Sequence, residues 1–354
     1  MLYYLGMKFV PFFSSFQVIH YISFRAIMAL LTTFFMSVLL GRRFIAFSAS
    51  AFQNTARPFT PENHQQKGST PTMGGIFIIG ISFLNIALWC DLTRQEPWIL
   101  ALSLILFGAI GLLDDISKVK FKKGISARLK FRLQLICAIL VILFWIVLKN
   151  PSWVIYMPIF KELIMPVGVF FIPWLILVIV GTSNAVNLTD GLDGLAIGIL
   201  ITSFVFFGGV AYISGHIDFA HYLHMPYVGC SEAVIVAAVL TGACLGFYWF
   251  NAHPAEIFMG DVGSLSLGAT LAMFAIITRQ EMLLPIVGGV FVAEALSVIL
   301  QIASIKIFKR RILRMSPLHH HFEVIGWRET KVTTRFHIIT LILSLFAAVC
   351  LKLR

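Results

Sequence analysis

Charge is what this sequence has least of. Only 12% of the 354 residues are Asp, Glu, Lys or Arg, and acids are the scarcer kind, 16 against 27 bases. Soluble domains carry roughly 25% charged residues. With 59% hydrophobic residues and a mean hydropathy of +0.91, the composition excludes an ordinary soluble chain and indicates a polytopic membrane protein. Cysteine is also sparse. Cys90, Cys137, Cys230, Cys244 and Cys350 are scattered, four of them inside apolar runs. That spacing excludes a thiolate metal site or a disulfide framework and leaves five small apolar side chains. No internal repeat of solenoid period is visible. Residues 1–17 hold one Lys and no basic stretch before a short apolar core, so they lack the pattern of a cleavable signal peptide.

What is abundant is long apolar runs. A helix needs about 20 such residues to cross a bilayer. Ten spans are expected, near 18–40, 72–90, 97–113, 131–148, 166–186, 195–213, 232–250, 263–278, 283–307 and 336–351, with residues 1–17 lying along the interface. The fold class is therefore all-α integral membrane, a single polytopic domain over residues 1–354. Ten spans put five odd-numbered loops on one side and both termini on the other. The odd loops hold 18 Lys and Arg and the opposite side seven, which assigns the odd loops to the cytoplasm. The net charge of +11 thus reads as membrane orientation, and no nucleic-acid partner is implied.

Every polar stretch with chemical character falls in the odd loops. Loop one ends Lys67-Gly68-Ser69-Thr70-Pro71-Thr72-Met73-Gly74-Gly75, where a helix start, hydroxyls and a Lys suit an anion. An ordinary N-cap with a Pro turn reads the same way. Loop three opens on Asp114-Asp115, adjacent carboxylates that repel unless a cation sits between them. The basic run from Lys118 to Lys130 follows, and contact with anionic lipid headgroups explains most of it. Loop five contains Asn187, Asp190 and Asp193 around Gly191 and Gly194. A helix cap accounts for one of those Asp residues, not for both. Loop seven carries Asn251, Phe258 and Asp261, the last between Gly260 and Gly263, where it is placed to reach a metal. Loop nine carries His319, His320 and His321. Consecutive residues do not converge on one zinc ion, so imidazoles on phosphate oxygens are the better reading. Glu294, inside the ninth span, stays open between a functional role and pairing with Arg25 or Lys306. Oxygen ligands without thiols indicate a hard cation such as Mg²⁺. Carboxylates, Lys and His gathered at one membrane face suggest phosphoryl transfer from a soluble donor to a lipid acceptor.

The stretches Lys67–Gly75 (KGSTPTMGG), Gly111–Asp115 (GLLDD), Asn187–Ala196 (NLTDGLDGLA), Asn251–Gly263 (NAHPAEIFMGDVG) and Ser316–Glu323 (SPLHHHFE) resemble the phospho-N-acetylmuramoyl-pentapeptide-transferase family, a branch of the polyprenyl-phosphate sugar-1-phosphate transferases. The likeness runs in order across nearly the whole chain outside the first 17 residues. It implies a Mg²⁺-dependent enzyme of the bacterial inner membrane with ten transmembrane helices, periplasmic termini and a cytoplasmic active site, working as a homodimer. The substrates it implies are UDP-N-acetylmuramoyl-pentapeptide and undecaprenyl phosphate, and the products lipid I and UMP. By the same resemblance Asp261 is the Mg²⁺ ligand, with Asp115 a second candidate, and Asp114 and Asp115 lie at the reacting phosphates. Lys67, Thr72, Asn187, Asp190, Asp193, Asn251 and Phe258 would hold the donor, His319, His320 and His321 the diphosphate or sugar-peptide, and Lys118 and Lys130 the lipid phosphate. A sister transferase using UDP-N-acetylglucosamine, which should lack the His run, and a lipid transporter without chemistry are the alternatives.

Overall fold

The computed structural model describes residues 1–51, 70–157 and 164–352. An N-terminal helix α1 (Leu2–Phe9) and a 3-10 turn (Ser14–His20) lead into the long helix α2 (Ile22–Ala51). Then follow α3 (Gly74–Trp89), α4 (Glu96–Phe121) and α5 (Ala127–Lys149). A two-stranded antiparallel hairpin, β1 (Val154–Tyr156) and β2 (Ile164–Pro166), pairs Val154 with Pro166. The second half comprises α6 (Phe171–Thr189), α7 (Leu195–Gly215), α8 (Ile217–Tyr222), α9 (Glu232–Asn251), α10 (Gly260–Ile277), α11 (Leu284–Val287), α12 (Gly289–Phe308), α13 (Leu318–Val324) and α14 (Glu329–Lys352).

Among the described residues, nine helices are long and apolar enough to cross a membrane, and α3 is a shorter apolar helix where the second span is expected. The protein is a multi-pass membrane protein. Its helices carry apolar residues on all sides because the outward face meets lipid and the inward face meets other helices. Leu39 and Val147 are exposed outward, while α10 is the centre, with 89% of its span buried against α3, α4, α6 and α7. A pair of helices, α2 and α9, packs alongside and is latched at one end by a buried ion pair. Arg25 donates to both oxygens of Glu232, at 3.1 and 2.7 Å.

Several boundaries differ from expectation. The span expected at 97–113 continues to Phe121, so Asp114 and Asp115 lie on α4 and not in a loop. Likewise α2 runs from Ile22 to Ala51 instead of 18–40. A polar residue does not end a helix whose backbone hydrogen bonds continue, so hydropathy marks the membrane edge and not the helix edge. The span expected at 283–307 is split at Gly288 into α11 and α12. The hairpin was not foreseen, since its strands are only three residues each.

Candidate active site

Two close approaches between backbones build the site. A methyl carbon placed on Gly75 of α3 would lie 2.1 Å from the Gly263 nitrogen of α10, and one on Gly111 of α4 would lie 2.3 Å from the Asp261 carbonyl oxygen. Only glycine at these positions lets α3 and α4 touch the first turn of α10. Segment 71–75 is tied to the same region by backbone bonds: Phe258 N donates to Pro71 O, Gly74 N to Phe258 O and Gly75 N to Met259 O, each at 2.9 Å.

This packing brings Asp114, Asp115 and Asp261 together, with carboxylate oxygens from the three all within 4.8 Å of one another. Each is also held locally. Asp114 Oδ1 accepts from the Ile125 amide at 2.8 Å, which fixes the turn between α4 and α5. Asp115 Oδ2 accepts from the Val262 amide at 3.2 Å and so caps α10 from another helix. Asp261 sits in the first turn of α10, where the helix dipole favours a negative charge.

Lys118 and Lys130 supply the counter-charge. Lys118 Nζ lies 3.0 Å from Asp114 Oδ2, 3.0 Å from Asp115 Oδ1 and 2.9 Å from Asp261 Oδ1. Lys130 Nζ lies 3.3 Å from Asp114 Oδ2 and also pairs with Asp261 Oδ2. Both lysines were expected in a basic loop; Lys118 stands on α4 and Lys130 on α5, with their ammonium groups on carboxylates, because three acids this close require positive charge. Two lysines against three carboxylates leave a net negative charge. A hard, oxygen-only, residually negative cluster fits a divalent cation such as Mg²⁺. Asp114, Asp115 and Asp261 are the residues that would hold it.

Thr72, Phe258, Asn187 and Asp190 lie beside this cluster. Thr72 reaches the cluster: its Oγ1 and Asp115 Oδ2 lie 3.1 and 2.6 Å from where a Cβ on Gly260 would stand. Gly260 itself has φ +72, a left-handed conformation that suits glycine. Phe258 is half-buried on the chain just before α10. Asn187 donates to Ser264 Oγ at 2.8 Å, joining α6 to α10. Asp190 is the C-cap of α6, not the N-cap of α7. Its carboxyl is pushed up from 3.8 to about 8, first by burial and then by the negative charges of Asp261 and Asp115. Burial and the neighbouring negative charges thus favour the protonated form of Asp190.

Asp193 and Asn251 hold the protein to itself. Asp193 is 1% exposed at its side chain, and its Oδ2 accepts from the Ala255 amide at 3.1 Å and lies 3.1 Å from His253 Nδ1. The direct donor contact expected of Asp193 does not fit that burial. Asn251 Oδ1 accepts from the Gly194 amide at 3.2 Å and its Nδ2 donates to Ile257 O at 2.8 Å. Lys67 lies outside the described residues.

The three histidines diverge. They lie on the short helix α13, and only His319 points inward. His319 is 1% exposed; its ring packs under Gly191, where a Cβ would fall 2.3 Å from Nε2. Its Nδ1 is 3.2 Å from Glu294 Oε1, off the line of a hydrogen bond, and Nε2 has no partner. His320 pairs with Glu323 at 2.7 Å, and His321 Nδ1 accepts from the Arg314 amide at 3.2 Å. The three rings therefore face separate partners, and only His319 lies against the segment that carries Asp190. Glu294 pairs with neither Arg25 nor Lys306. It accepts from the Leu318 and His319 amides at 2.7 and 3.0 Å and so caps α13.

One residue escaped sequence reasoning. Glu329, in the first turn of α14, accepts from the Asp193 amide at 2.7 Å and lies 3.5 Å from His253 Nδ1. No spacing links it to Asp193, 136 residues away.

A family model described as Glycosyl transferase family 4 matches residues 97–279, about half of the chain, from the first turn of α4 to the residue after α10's C-cap. The match contains all three clustered carboxylates and both lysines.

Proposed function

The chain belongs to glycosyl transferase family 4 and is a membrane phosphosugar transferase, and from that premise we propose that it moves phospho-N-acetylmuramoyl-pentapeptide from the UDP-linked donor to undecaprenyl phosphate. The products are lipid I and UMP. The observation that carries a phosphoryl-transfer reading is the Asp114–Asp115–Asp261 cluster with Lys118 and Lys130 at one end of the bundle. The muramoyl-pentapeptide donor rests on the likeness of Asn187–Ala196 and Ser316–Glu323 to that branch. The charge bias of the loops supports a cytoplasmic site in a bacterial inner membrane, and the family likeness supports a homodimer.

An oxygen of the lipid phosphate attacks the sugar-bearing phosphorus of the donor. The bond from that phosphorus to the bridging oxygen breaks, and UMP leaves with the electron pair. The lipid phosphate is already an anion near neutral pH, so in-line displacement needs no strong base. Bound Mg²⁺ would supply charge neutralisation for the diphosphate and the leaving group. Lys118 and Lys130, on their long flexible stems, would reach a substrate phosphate beside the carboxylates they now pair with. Thr72, Phe258 and Asp190 line the donor side, and Asp193, Asn251 and Glu329 hold that wall in shape.

The deciding measurement is UMP release by the purified protein with Mg²⁺ and undecaprenyl phosphate, offering each UDP-sugar in turn. Release with the muramoyl-pentapeptide donor is expected. Release with UDP-N-acetylglucosamine alone assigns the sister reaction, and none with either donor removes the reading. A phospho-enzyme trapped with donor and no lipid would replace direct attack by double displacement through Asp115 or Asp261.

A further inference from the structure

A cavity of about 390 Å³ opens where α5 ends, the hairpin begins and α10 gives way to Arg279. Asp261 stands at one end of α10 and this cavity at the other. The helix has 18 residues, which at about 1.5 Å each puts the cavity roughly 27 Å from the acidic cluster. The two features lie on opposite faces of the bundle.

Trp145, Lys149, Ser152, Tyr156, Tyr227 and Arg279 line it. Arg279 is the unusual member. It is only 3% exposed, yet no carboxylate among the described residues lies within ion-pair distance of it. One terminal nitrogen donates to the carbonyls of Ser152 and Val154, at 2.7 and 2.6 Å. Its Nε has no partner. The guanidinium carbon lies 5.5 and 5.3 Å from the ring centres of Tyr156 and Phe171. Lys149 is neutralised by Glu96, so among the described lining residues one positive charge remains. A buried cation without a counter-ion is costly, and aromatic faces and carbonyl dipoles offset only part of that cost. An anion in the cavity would offset the remainder and give Nε its acceptor.

The surroundings say where the anion comes from. Tyr227 on the rim is 55% exposed and Trp153, beside Ser152, is 40% exposed, the amphipathic rings that favour headgroup depth. Val169 and Phe170, just past the hairpin, are 70% and 73% exposed and offer apolar surface to acyl chains. We propose that this cavity binds the headgroup phosphate of an anionic phospholipid from the leaflet opposite the acidic cluster. The positive wall selects against a zwitterionic headgroup, whose ammonium it repels.

The test uses the full-length protein in micelles holding equal phosphatidylglycerol and phosphatidylcholine, with retained lipid read by native mass spectrometry. The wild type is expected to keep phosphatidylglycerol in preference. Arg279→Gln should cut that retention about tenfold, equivalent to about 1.4 kcal/mol. Ser152→Trp, which fills the mouth from an exposed position and leaves the Arg279 cage intact, should do the same if Arg279→Gln fails to fold. UMP release should stay near wild type in Ser152→Trp. Equal retention by wild type and Ser152→Trp, or equal retention of the two lipids, overturns the proposal. Stabilisation of lipid-free protein by inorganic phosphate as large as that by phosphatidylglycerol overturns the lipid assignment.

Discussion

Asp261 contributes a carboxylate to the three-acid cluster and takes both lysines as partners. Asp261→Asn keeps its shape and removes its charge. Mg²⁺-dependent UMP release is expected to fall by about 10²–10³-fold, the scale of losing one preorganised charge contact, with the melting temperature near wild type. Activity within a few-fold of wild type would mean the cation is held elsewhere. Asp190 gives a pH dependence whose sign follows from its raised pKa. A carboxyl pushed from 3.8 to about 8 binds its proton more tightly folded than unfolded. Its contribution to stability is complete below the unfolded value and is lost as pH climbs through about 8. The melting temperature should therefore drop between pH 6 and pH 9 (about three decades of proton activity), and Asp190→Asn should flatten that drop. Saturating Mg²⁺ should flatten it too, by masking the Asp261 and Asp115 charges that raise the group. An unchanged slope in Asp190→Asn would contradict the assignment.

Helix contact at glycine is the device by which α4 brings Asp114 and Asp115 to Asp261 on α10, with α3 packed against the same turn. It makes Gly75 far more sensitive than a glycine elsewhere on the same helix. Gly75→Ala drives a methyl into the Gly263 backbone, an overpacking that costs about 1–3 kcal/mol. At Gly80 nothing lies within 4 Å. There the same change should be neutral or stabilising, by up to about 1 kcal/mol from helix propensity. Thermal unfolding of the two variants, with UMP release, decides it. Equal behaviour would show that α3 can retreat from α10 without consequence. The cap of α13 by Glu294 is a second such device. A carboxylate from the second turn of α12 fixes the start of the helix that carries His319, and His319 in turn supports Gly191 beside Asp190.

Across the whole molecule, the candidate donor wall is closed by residues from three separate regions: Asp193 between α6 and α7, His253 after α9, and Glu329 at the start of α14. Asp193 and Glu329 should therefore behave as one unit. Asp193→Ala and Glu329→Ala are each expected to raise the KM for the UDP-linked donor more than they lower kcat. The double variant should be less impaired than the sum, with a coupling of about 0.5–3 kcal/mol. Strict additivity, or a pure kcat defect, would place Glu329 outside the donor wall.

The apolar runs by themselves determined the membrane class and the order of the spans, because each span must match lipid along its own length and that requirement is local. The motif stretches likewise marked Asp114, Asp115, Asp190 and Asp261 as the chemical residues, since acids are conspicuous in so apolar a chain. Only the tertiary structure decided which acids meet. Asp115 and the Val262 amide are 147 residues apart, and their contact depends on glycines that let three helices approach, not on any neighbouring residue. The same holds for Lys118 and Lys130, whose basic run reads as lipid contact until the carboxylates packed against them are known. It holds again for Glu294, Glu329 and Arg279, whose partners lie across the bundle. Pairings of this kind leave no periodicity or spacing in the chain, because helix packing sets them.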